Sequence, residues 1–348
     1  MDKKILICLD LLKYPNRGLG RVSIDFSYQL AHSQNFDYTF LVPKNLKKHH
    51  LTNQKLIGLD LNKKFFSNYM KEFDVCHIIH QLPKFSFQKA RRKVLTIHDL
   101  NFLYTKNKTK QRKYHNIVQK AIYQADAICF ISEFTKNDCF NHLDIPSDKI
   151  TAVIYNGVND LEKSDKKPQW CPNGEFLFSI GQFLDKKNFH VLIPFVQQLP
   201  SEIKLIIAGE NTTTYGTELK KLISAKGMES RIILPGAIKE TEKSYLYENC
   251  KAFVFPSIAE GFGLPVIEAM KFGKPVFCSD KTSLKEIGNK FAFFWEDFDP
   301  QNMKQIYEQG LSYFTENERF IQEQLHYSNQ YTWEKNVAEY EKIYQLLI

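Results

Sequence analysis

Short apolar runs alternate with longer amphipathic stretches along most of the chain. The apolar runs are continuous, which is typical of parallel strands buried on both faces, and the stretches between them carry apolar residues at helical spacing. This alternation predicts an α/β fold built on parallel sheets with crossover helices. The clearest strand-like runs are KILICL, DYTFLVP, KVLTIHDL, AICFIS, FLFSIG, KLIIAGE and RIILPG.

A polar segment interrupts this alternation near the middle of the chain. Residues 161–174 contain two prolines and end on a glycine, a composition typical of an interdomain linker. The pattern therefore predicts a first domain over residues 1–160, a second domain over residues 175–332 and a last helix near Trp333 to Leu347. A chain of 348 residues is long enough for two domains with a full core each.

The most informative stretch covers residues 253–280 and predicts a strand, a glycine-containing loop and a helix in direct succession. We expect the helix to begin at Pro265, because proline suits the first helical position, and to stop at Gly273. This order points free backbone N–H groups and the positive end of the helix dipole at one spot, which favours phosphate. The stretch reads FVFPSIAEGFGLPVIEAMKFGKPVFCSD.

Two carboxylates flank this predicted anion site. Glu260 lies in the loop, and we expect Glu268 in the first turn of the helix, where its oxygens could accept hydrogen bonds from a vicinal diol. A nucleoside diphosphate sugar offers a ribose diol, a pyrophosphate and sugar hydroxyls in that order. Two glutamates at this spacing are also common on solvated helices, so the pair by itself leaves that interpretation open.

The full string Pro-Ser-x-x-Glu-Gly-Phe-Gly-Leu-Pro-x-x-Glu resembles the donor-site signature of the retaining family 4 (GT4) glycosyltransferases. The resemblance covers nearly the whole chain and implies the GT-B fold, in which two Rossmann-like doubly wound parallel-sheet domains face a central cleft. It implies that residues 1–160 form the acceptor-side domain, with residues 333–348 packed back on it. Residues 175–332 would form the nucleotide-sugar donor-binding domain.

The resemblance also assigns roles to residues of the central stretch. It implies that Glu260 faces the transferred sugar, that Glu268 holds the ribose, and that the loop N–H groups bind the pyrophosphate. Backbone near Ile238 would contact the base. The family is thought to react on the face of the leaving group, so we expect no dedicated general base. The loop residues concerned are Gly261, Phe262, Gly263 and Leu264.

A lysine pair follows the first strand of the second domain. The segment 181–188 resembles the family's G-x-x-x-x-[RK]-K-N pattern, which implies that Lys187 grips the pyrophosphate. Many family members carry an arginine directly after the glycine, where this chain has Gln182. Lys186 is expected to supply the second charge, as in the subgroup that resembles bacterial polysaccharide mannosyltransferases. Without this context, two solvated surface lysines would be the simpler interpretation.

Two candidates lie in the first domain. His98 follows the strand-like run KVLTI, and the string Thr-Ile-His-Asp-Leu resembles the family segment whose histidine contacts the transferred sugar near its reacting carbon. A glycine pair, Gly18 and Gly20, precedes a predicted helix from about Arg21 to His32. The resemblance implies that Gly20 brings backbone close to the donor phosphate, although a simple turn is the ordinary explanation of a lone G-x-G.

Two other patterns, D-x-D and H-x2-H, resemble metal-binding motifs, but their positions in the sequence argue against a metal site. Asp297-Phe-Asp299 spells D-x-D, but it falls in a polar loop before Pro300, where the family has only a connecting segment. His77 and His80 lie on a predicted strand, where they would face opposite sides, so we expect a buried or solvated pair. The seven cysteines include no C-x2-C pair, so neither a zinc site nor a disulfide framework is indicated. We expect neither a metal nor a cofactor.

The positive charge is concentrated in the first half of the chain. The net charge is +8, and residues 1–150 hold 25 Lys+Arg against 13 Asp+Glu. Basic runs at residues 44–48, 85–93 and 104–113, the last two interleaved with aromatic residues, favour an anionic surface. We hypothesise contact with membrane phospholipid or with a lipid-linked acceptor. Nucleic acid is the competing partner, but no recognised binding module appears, so we expect none.

The chain is expected in the cytoplasm, as a peripheral protein at the inner face of the plasma membrane. No apolar run approaches the ~18 residues that span a bilayer, and the first residues lack a signal-peptide pattern.

The sequence therefore predicts a retaining, metal-independent hexosyltransferase. It would move mannose or glucose from a nucleoside diphosphate sugar, GDP-mannose first and a UDP-hexose next, to a saccharide or glycolipid acceptor in bacterial polysaccharide or lipopolysaccharide synthesis. A nucleotide-sugar epimerase on the same fold is one alternative. A non-catalytic scaffold that binds membrane or RNA is the other. Base, sugar, acceptor, linkage and oligomeric state are not determined by the sequence, nor is the effect of Gln182 on phosphate binding.

Overall fold

The chain divides into two compact units. The computed structural model describes residues 3–14, 18–44, 51, 53–59, 70–83 and 89–348. The first unit is Met1–Gly157 with Tyr331–Ile348, and the second unit is Val158–Gln330. Residues 161–174, the predicted linker, lie within the second unit and form neither helix nor strand.

The first unit contains a sheet whose described pairings are all parallel. Its strands are β1 (Lys4–Cys8), β2 (Asp37–Pro43), β3 (Lys55–Leu59), β4 (Val75–Ile78), β5 (Arg92–Ile97), β6 (Ala127–Phe130) and β7 (Ile150–Val153). They lie in the order β3-β2-β1-β4-β5-β6-β7. The strand order reverses between β1 and β4, and in sheets of this kind ligands gather beyond the carboxyl ends of the strands at such a point.

The helices between these strands include two that begin after a capping residue. They are α1 (Gly18–His32), α2 (Phe102–Thr105), α3 (Lys108–Gln124) and α4 (Glu133–His142). Helix α4 begins after Ser132, whose hydroxyl accepts a hydrogen bond from the Thr135 N–H at 3.1 Å. Helix α3 begins after Asn107, whose side chain accepts from the Lys110 N–H at 3.1 Å. Both residues are strong N-caps because their short side chains satisfy free N–H groups of the first turn.

Helix α1 corrects one prediction about the glycine pair. It begins at Gly18, so Gly18 and Gly20 lie inside its first turn and not in a loop before it. Gly20 is buried there. A glycine costs a helix only about 1 kcal/mol, and the favourable packing of the following apolar residues outweighs this cost.

The second unit contains a six-stranded sheet with the same kind of winding. Its strands are β8 (Phe176–Ile180), β9 (Lys204–Ala208), β10 (Ile232–Gly236), β11 (Ala252–Phe255), β12 (Val276–Ser279) and β13 (Phe293–Trp295). The order is β10-β9-β8-β11-β12-β13, and every described pairing is parallel. Its strand order reverses between β8 and β11.

The helices of the second unit cover both faces of this sheet. They are α5 (Leu192–Gln197), α6 (Thr214–Ala225), α7 (Glu240–Asn249), α8 (Leu264–Lys271), α9 (Leu284–Gly288), α10 (Pro300–Glu316) and α11 (Glu318–Ser328). Large aromatic side chains fill the core between α5, α10 and the sheet: Phe195, Phe277, Trp295 and Tyr307 are all buried. None of the helices in the described parts of the chain is long and apolar enough to cross a membrane.

The last helix, α12 (Trp333–Leu347), belongs to the first unit. It packs against α1, and its Glu341 carboxylate accepts hydrogen bonds from Ser33 Oγ, Asn35 Nδ2 and Tyr38 Oη at 2.5, 2.6 and 2.7 Å. The first residue of this helix, Trp333, packs directly on Gly157, where a Cβ would come within 2.6 Å of the Trp333 backbone. Only glycine allows that approach.

Candidate functional site

The loop between β11 and α8 places Glu260 at the carboxyl end of the second unit's sheet. Helix α8 begins at Leu264, one residue before the predicted start, with Pro265 in its first turn. The residue before it, Gly263, has a φ of 110°, and a Cβ there would lie 2.6 Å from a Leu284 methyl group. Glycine is therefore favoured chiefly by the backbone conformation, and any larger residue would also have to displace the Leu284 side chain.

The Glu260 side chain is only 12% exposed and is paired with lysine. Its Oε1 lies 2.5 Å from Lys187 Nζ and accepts a hydrogen bond from Ser257 Oγ at 2.6 Å. Its Oε2 is 3.8 Å from Lys186 Nζ. Burial by itself would raise the pKa of Glu260, but the two lysine charges and these hydrogen bonds lower it to about 2. Glu260 is therefore a carboxylate throughout the physiological pH range.

The loop after β8 carries the two lysines to this position. A short 3₁₀ turn, Asp185–Lys187, ends at Asn188, which adopts a left-handed backbone with φ 57°. The Lys186 carbonyl accepts hydrogen bonds from the Ile258 N–H at 2.8 Å and from Ser257 Oγ at 3.0 Å, so this loop and the Glu260 loop are joined through their backbones. Burial lowers the pKa of Lys187, an effect that Glu260 opposes.

This cluster has one positive charge in excess. Lys186 and Lys187 supply two cations and Glu260 one anion, all less than a quarter exposed. A buried cluster with this imbalance favours an anionic ligand, and the first N–H groups of α8, together with those of Gly261 and Phe262, belong to the same loop. The predicted residues of the central stretch are therefore brought together with the predicted lysines.

Glu268 lies one turn further along α8 and departs from its predicted position. Because α8 begins at Leu264, its first turn contains no acidic residue, and Glu268 belongs to the second turn. Its carboxylate accepts hydrogen bonds from Lys243 Nζ at 3.0 Å and from Tyr247 Oη at 2.8 Å, both on α7. Burial opposes the charge of Lys243, but Glu268 and Glu240 raise its pKa overall.

Lys243 and Tyr247 are partners of Glu268 that the sequence reasoning missed. Their spacing of four residues on a helix could have indicated a common face, but not which carboxylate that face meets. Ile238, predicted to lie near the base, precedes α7 in the connection from β10 and is half-buried. Helix α7 thus connects the predicted base region to the predicted ribose carboxylate.

His98 directly follows β5 in the first unit and is uncharged. It is buried, its Nε2–H donates to the Ile79 carbonyl at 2.7 Å, and burial lowers its pKa to about 4. It lines a small cavity together with Trp333, Asn336 and Tyr340. Gly20, the other candidate of this unit, lies in helix α1. Neither residue is in the same compact unit as Glu260 and Lys187.

The two histidines of the H-x2-H pattern have separate partners. His77 lies on β4, with Nδ1 2.7 Å from Tyr344 Oη and Nε2 2.8 Å from Thr96 Oγ1. His80 lies beyond the end of β4, so the strand argument does not apply to it, and its Nε2 is 2.8 Å from Asp10. Both are buried, as one of the predicted alternatives stated.

The second aspartate of the D-x-D pattern is the N-cap of helix α10. The Asp299 side chain accepts hydrogen bonds from the N–H groups of Gln301 and Asn302, at 3.0 and 3.1 Å, and so caps α10. Across the described ranges, no group of three or more His, Cys, Asp or Glu residues is arranged to hold a metal ion.

Known protein families match both parts of the chain. Residues 21–161 match the family described as Glycosyltransferase Family 4, and residues 160–326 match Glycosyl transferases group 1. The chain is 24% identical to O-antigen chain mannosyltransferase B of Escherichia coli, in an alignment that covers 99% of this chain and 100% of that protein.

Solved structures agree in fold. Sucrose-phosphate synthase from Thermosynechococcus elongatus aligns with a TM-score of 0.79 at 16% identity, covering 99% of each chain. Anabaena Alr3699/HepE, solved in complex with UDP and glucose, aligns with a TM-score of 0.76 at 18% identity, covering 98% of this chain and 99% of that one. With the two parallel sheets described above, these neighbours confirm the predicted GT-B fold class.

Proposed function

The chain belongs to glycosyltransferase family 4 and is a glycosyltransferase, and from this premise we propose that it transfers a hexose from a nucleoside diphosphate sugar with retention. Mannose from GDP-mannose is the first candidate, because the E. coli relative that aligns over its full length is named a mannosyltransferase. The observation that carries the proposal is the buried cluster of Lys186, Lys187 and Glu260 beside the start of α8. The second unit would bind the donor.

The lysine pair is proposed to stabilise the negative charge that develops on the leaving pyrophosphate. Cleavage of the glycosidic bond leaves negative charge on the pyrophosphate, and preorganised cations and N–H groups stabilise it without further rearrangement. Lys187 Nζ, already directed by Glu260, and the N–H groups of Phe262 to Leu264 are the groups proposed for this task. Two lysines supply the positive charge in this proposal, so it requires no metal.

Glu260 is proposed to position the sugar and not to act as a base. A carboxylate whose pKa is lowered to about 2 is a weak proton acceptor near neutral pH. Its remaining acceptor capacity suits sugar hydroxyl groups. Deprotonation of the acceptor hydroxyl is assigned to the leaving phosphate, which gains basicity as the bond breaks.

His98 is proposed to contact the transferred sugar as a neutral imidazole. Because its Nε2–H donates to the Ile79 carbonyl, Nδ1 is the acceptor nitrogen of the ring. With a pKa of about 4, the ring carries no charge at neutral pH, so it would not repel an oxocarbenium-like transition state. Gly20 is proposed as a backbone contact of the donor through the start of α1.

The acceptor is proposed to be a saccharide or glycolipid at an anionic membrane surface in polysaccharide or lipopolysaccharide synthesis. Support comes from a basic surface at the start of α3, whose exposed cations are Lys106, Lys108, Lys110, Arg112 and Lys113. The other two basic runs fall partly on residues 45–50 and 84–88, which lie outside the described residues. Co-sedimentation with anionic vesicles but not zwitterionic ones is the expected result, and equal binding to both would refute this part.

The donor proposal is tested first by thermal unfolding with GDP, UDP, ADP and CMP, with and without EDTA. A ligand at a hundred times its dissociation constant stabilises the folded protein by about 2.7 kcal/mol, which is a clear shift in Tm. The expected result is a shift with GDP that EDTA does not change. No shift with any of the four nucleotides would contradict the donor site.

Product analysis then separates the alternatives. Incubation with donor and a saccharide acceptor should give an α-linked product from an α-linked donor, and incubation without acceptor should give no new sugar nucleotide. An epimerised sugar nucleotide without acceptor would favour the epimerase. A protein that binds membrane or RNA and converts no sugar nucleotide would favour the scaffold.

A further inference from the structure

Thr282, in the loop after β12, has an unusual backbone conformation. Its φ is +53°, in the left-handed region that β-branched residues rarely adopt. The other non-glycine residues with positive φ in the described parts of the chain are Asn188 and Asn289, and asparagine tolerates this region well. A strained β-branched residue persists only where the surrounding structure holds it, and such positions are concentrated at functional sites.

The strain directs the Thr282 hydroxyl to the backbone of Glu260. Thr282 Oγ1 accepts a hydrogen bond from the Glu260 N–H at 3.0 Å. The next residue, Ser283, is fully buried, and its Oγ donates to the carbonyl oxygens of Glu260 and Phe262, at 3.0 and 2.9 Å. Both sides of the Glu260 backbone are therefore held by two consecutive side chains.

Ser283 gives up its usual role to make this contact. It occupies the N-cap position of α9, where a serine hydroxyl ordinarily accepts a hydrogen bond from an N–H of the first helical turn. Among the described residues its side chain makes no such capping bond. The hydroxyl donates to carbonyl oxygens of the Glu260 loop instead. The Ser279 hydroxyl likewise donates to the Ser257 carbonyl at the start of that loop.

We infer that Thr282 and Ser283 are positioning residues for the transfer reaction. They fix the main chain of Glu260 so that its carboxylate meets Lys187 Nζ, which sets where both groups stand relative to the donor sugar and pyrophosphate. A displacement of about 1 Å at such a site lowers the rate strongly while the donor is still bound by its other contacts. This inference rests on the proposed function and concerns turnover, not donor affinity.

Three substitutions at one position separate the hydroxyl from the strain. Thr282→Val keeps the shape and removes the acceptor, Thr282→Ser keeps the acceptor, and Thr282→Gly removes both the acceptor and the strain. We expect kcat to fall about tenfold in the valine and glycine variants, the equivalent of one lost hydrogen bond, with the Kd for GDP within about threefold of the wild type. The serine variant should keep kcat within about twofold of the wild type.

The glycine variant distinguishes positioning from a merely structural role. Relief of the left-handed backbone should leave its Tm equal to that of the wild type or higher, although its kcat is low. A matched control is Asn317→Ala, which removes another side-chain acceptor of a backbone N–H at 3.0 Å in the same unit, the cap of α11. That control should lower Tm and leave kcat unchanged.

Crystal structures of the wild type and the valine variant give a readout that needs no activity. The expected result is that the hydrogen bond between Lys187 and Glu260 is lengthened or lost in the valine variant. An active wild type with full kcat in the valine variant, or an unchanged Lys187–Glu260 contact there, would overturn the inference. A wild type that transfers no sugar would overturn the proposed function, and the crystal structures would still decide the positioning.

Discussion

A buried cluster in the first unit and a largely buried cluster in the second unit pair their polar side chains in opposite ways. In the first unit His77, Thr96, Tyr340 and Tyr344 form a buried network that is entirely neutral, and burial lowers the pKa of His77 to about 3. In the second unit the buried Lys187–Glu260 pair is ionic, and the pKa of Glu260 falls to about 2 despite its burial.

The difference indicates which cluster supports the fold and which serves a ligand. A neutral network in which each group has a partner avoids the desolvation cost of a charge and stabilises the contact it makes, here between the sheet and α12. A buried ion pair contributes little net stability, because desolvation offsets the attraction. Its presence, with a second lysine beside it, is what we expect of a site for the anionic donor proposed above.

The largest expected effect comes from removing the cation at the centre of the ionic cluster. Lys187→Met should lower kcat by about 10²–10³-fold, since one stabilising group of the leaving phosphate is lost. It should also lower the free energy of unfolding by about 3–5 kcal/mol, because Glu260 is left buried without its main partner. Steady-state kinetics and urea unfolding measure the two effects.

The double variant Lys187→Met/Glu260→Gln is the matched control for this prediction. It removes both members of the ion pair, and the remaining Lys186 keeps its hydrogen bond to the Ala259 carbonyl at 3.1 Å, so most of the stability should return while the activity does not. If the stability stays low in the double variant, the pair is not the cause of the loss, and the contrast between the two clusters fails.

The next effect concerns acid, which should titrate His98 of the first unit and Glu260 of the second unit in different pH ranges. The pKa of His98 is lowered from 6.5 to about 4, so between these values the unfolded chain binds a proton that the folded chain does not. The stability contributed by neutral His98 is therefore lost as the pH falls from 6.5 to 4, by about 3 kcal/mol at most. The pKa of Glu260 is lowered from 4.5 to about 2, so its contribution is present above pH 4.5 and lost as the pH falls to 2.

Urea unfolding across the pH range, with His98→Gln and Glu260→Gln, tests this separation. The difference between the wild type and His98→Gln should change only above pH 4, and the difference for Glu260→Gln only below pH 4.5. The same His98→Gln variant should show a kcat about tenfold lower at neutral pH, where one lost hydrogen bond is the whole effect. If both variants changed the stability over the same pH range, the assignment of a neutral His98 and an ionised Glu260 in the folded protein would be wrong.

A smaller effect is expected at the second carboxylate. Glu268→Ala should weaken GDP binding by about tenfold, the value of a hydrogen bond to a charged group, with kcat nearly unchanged. The control is Glu240→Gln, which removes the other carboxylate that contacts Lys243, at 3.1 Å. Calorimetric binding should show no change for this control. Equal losses in both variants would indicate a general effect of charge and not a ribose contact.

The smallest effect is expected in the neutral network. Tyr344→Phe removes the hydroxyl that lies 2.7 Å from His77 Nδ1 and should lower the free energy of unfolding by about 1 kcal/mol without changing kcat. Tyr123→Phe, which removes the exposed hydroxyl bonded to Asp144, should leave the stability unchanged. A loss of activity in Tyr344→Phe would show that the network is part of the site and would remove the distinction between the two clusters.

The sequence predicted the parts of the site that lie on one local segment or beside a strand end. Residues 253–280 form the expected strand, loop and helix, and Lys187 follows β8 as expected, because parallel strands bring their carboxyl ends together. The last helix, predicted near Trp333 to Leu347, runs over Trp333–Leu347, since apolar spacing and flanking residues define it locally.

The partners that complete these residues could not be predicted, because they depend on tertiary contacts. The bond from His77 to Tyr344 spans 267 residues, and Lys243 reaches Glu268 from another helix. The strained backbone of Thr282 has no local signal, because threonine disfavours that conformation and only packing selects it. Gly20 was assigned to a loop for the converse reason, since local rules overestimate the cost of glycine in a helix.

The position of α12 in the first unit has a consequence for how the protein is made. The second unit is one continuous segment that is synthesised before the last helix, so the first unit can complete its packing only after the second unit has been made. Until then the hydroxyl of Tyr38 and the imidazole of His77 lack Glu341 and Tyr344, the partners that α12 supplies. The unit whose residues are translated first is therefore completed last, and stalling shortly before residue 333 would leave a whole second unit joined to an incomplete first unit.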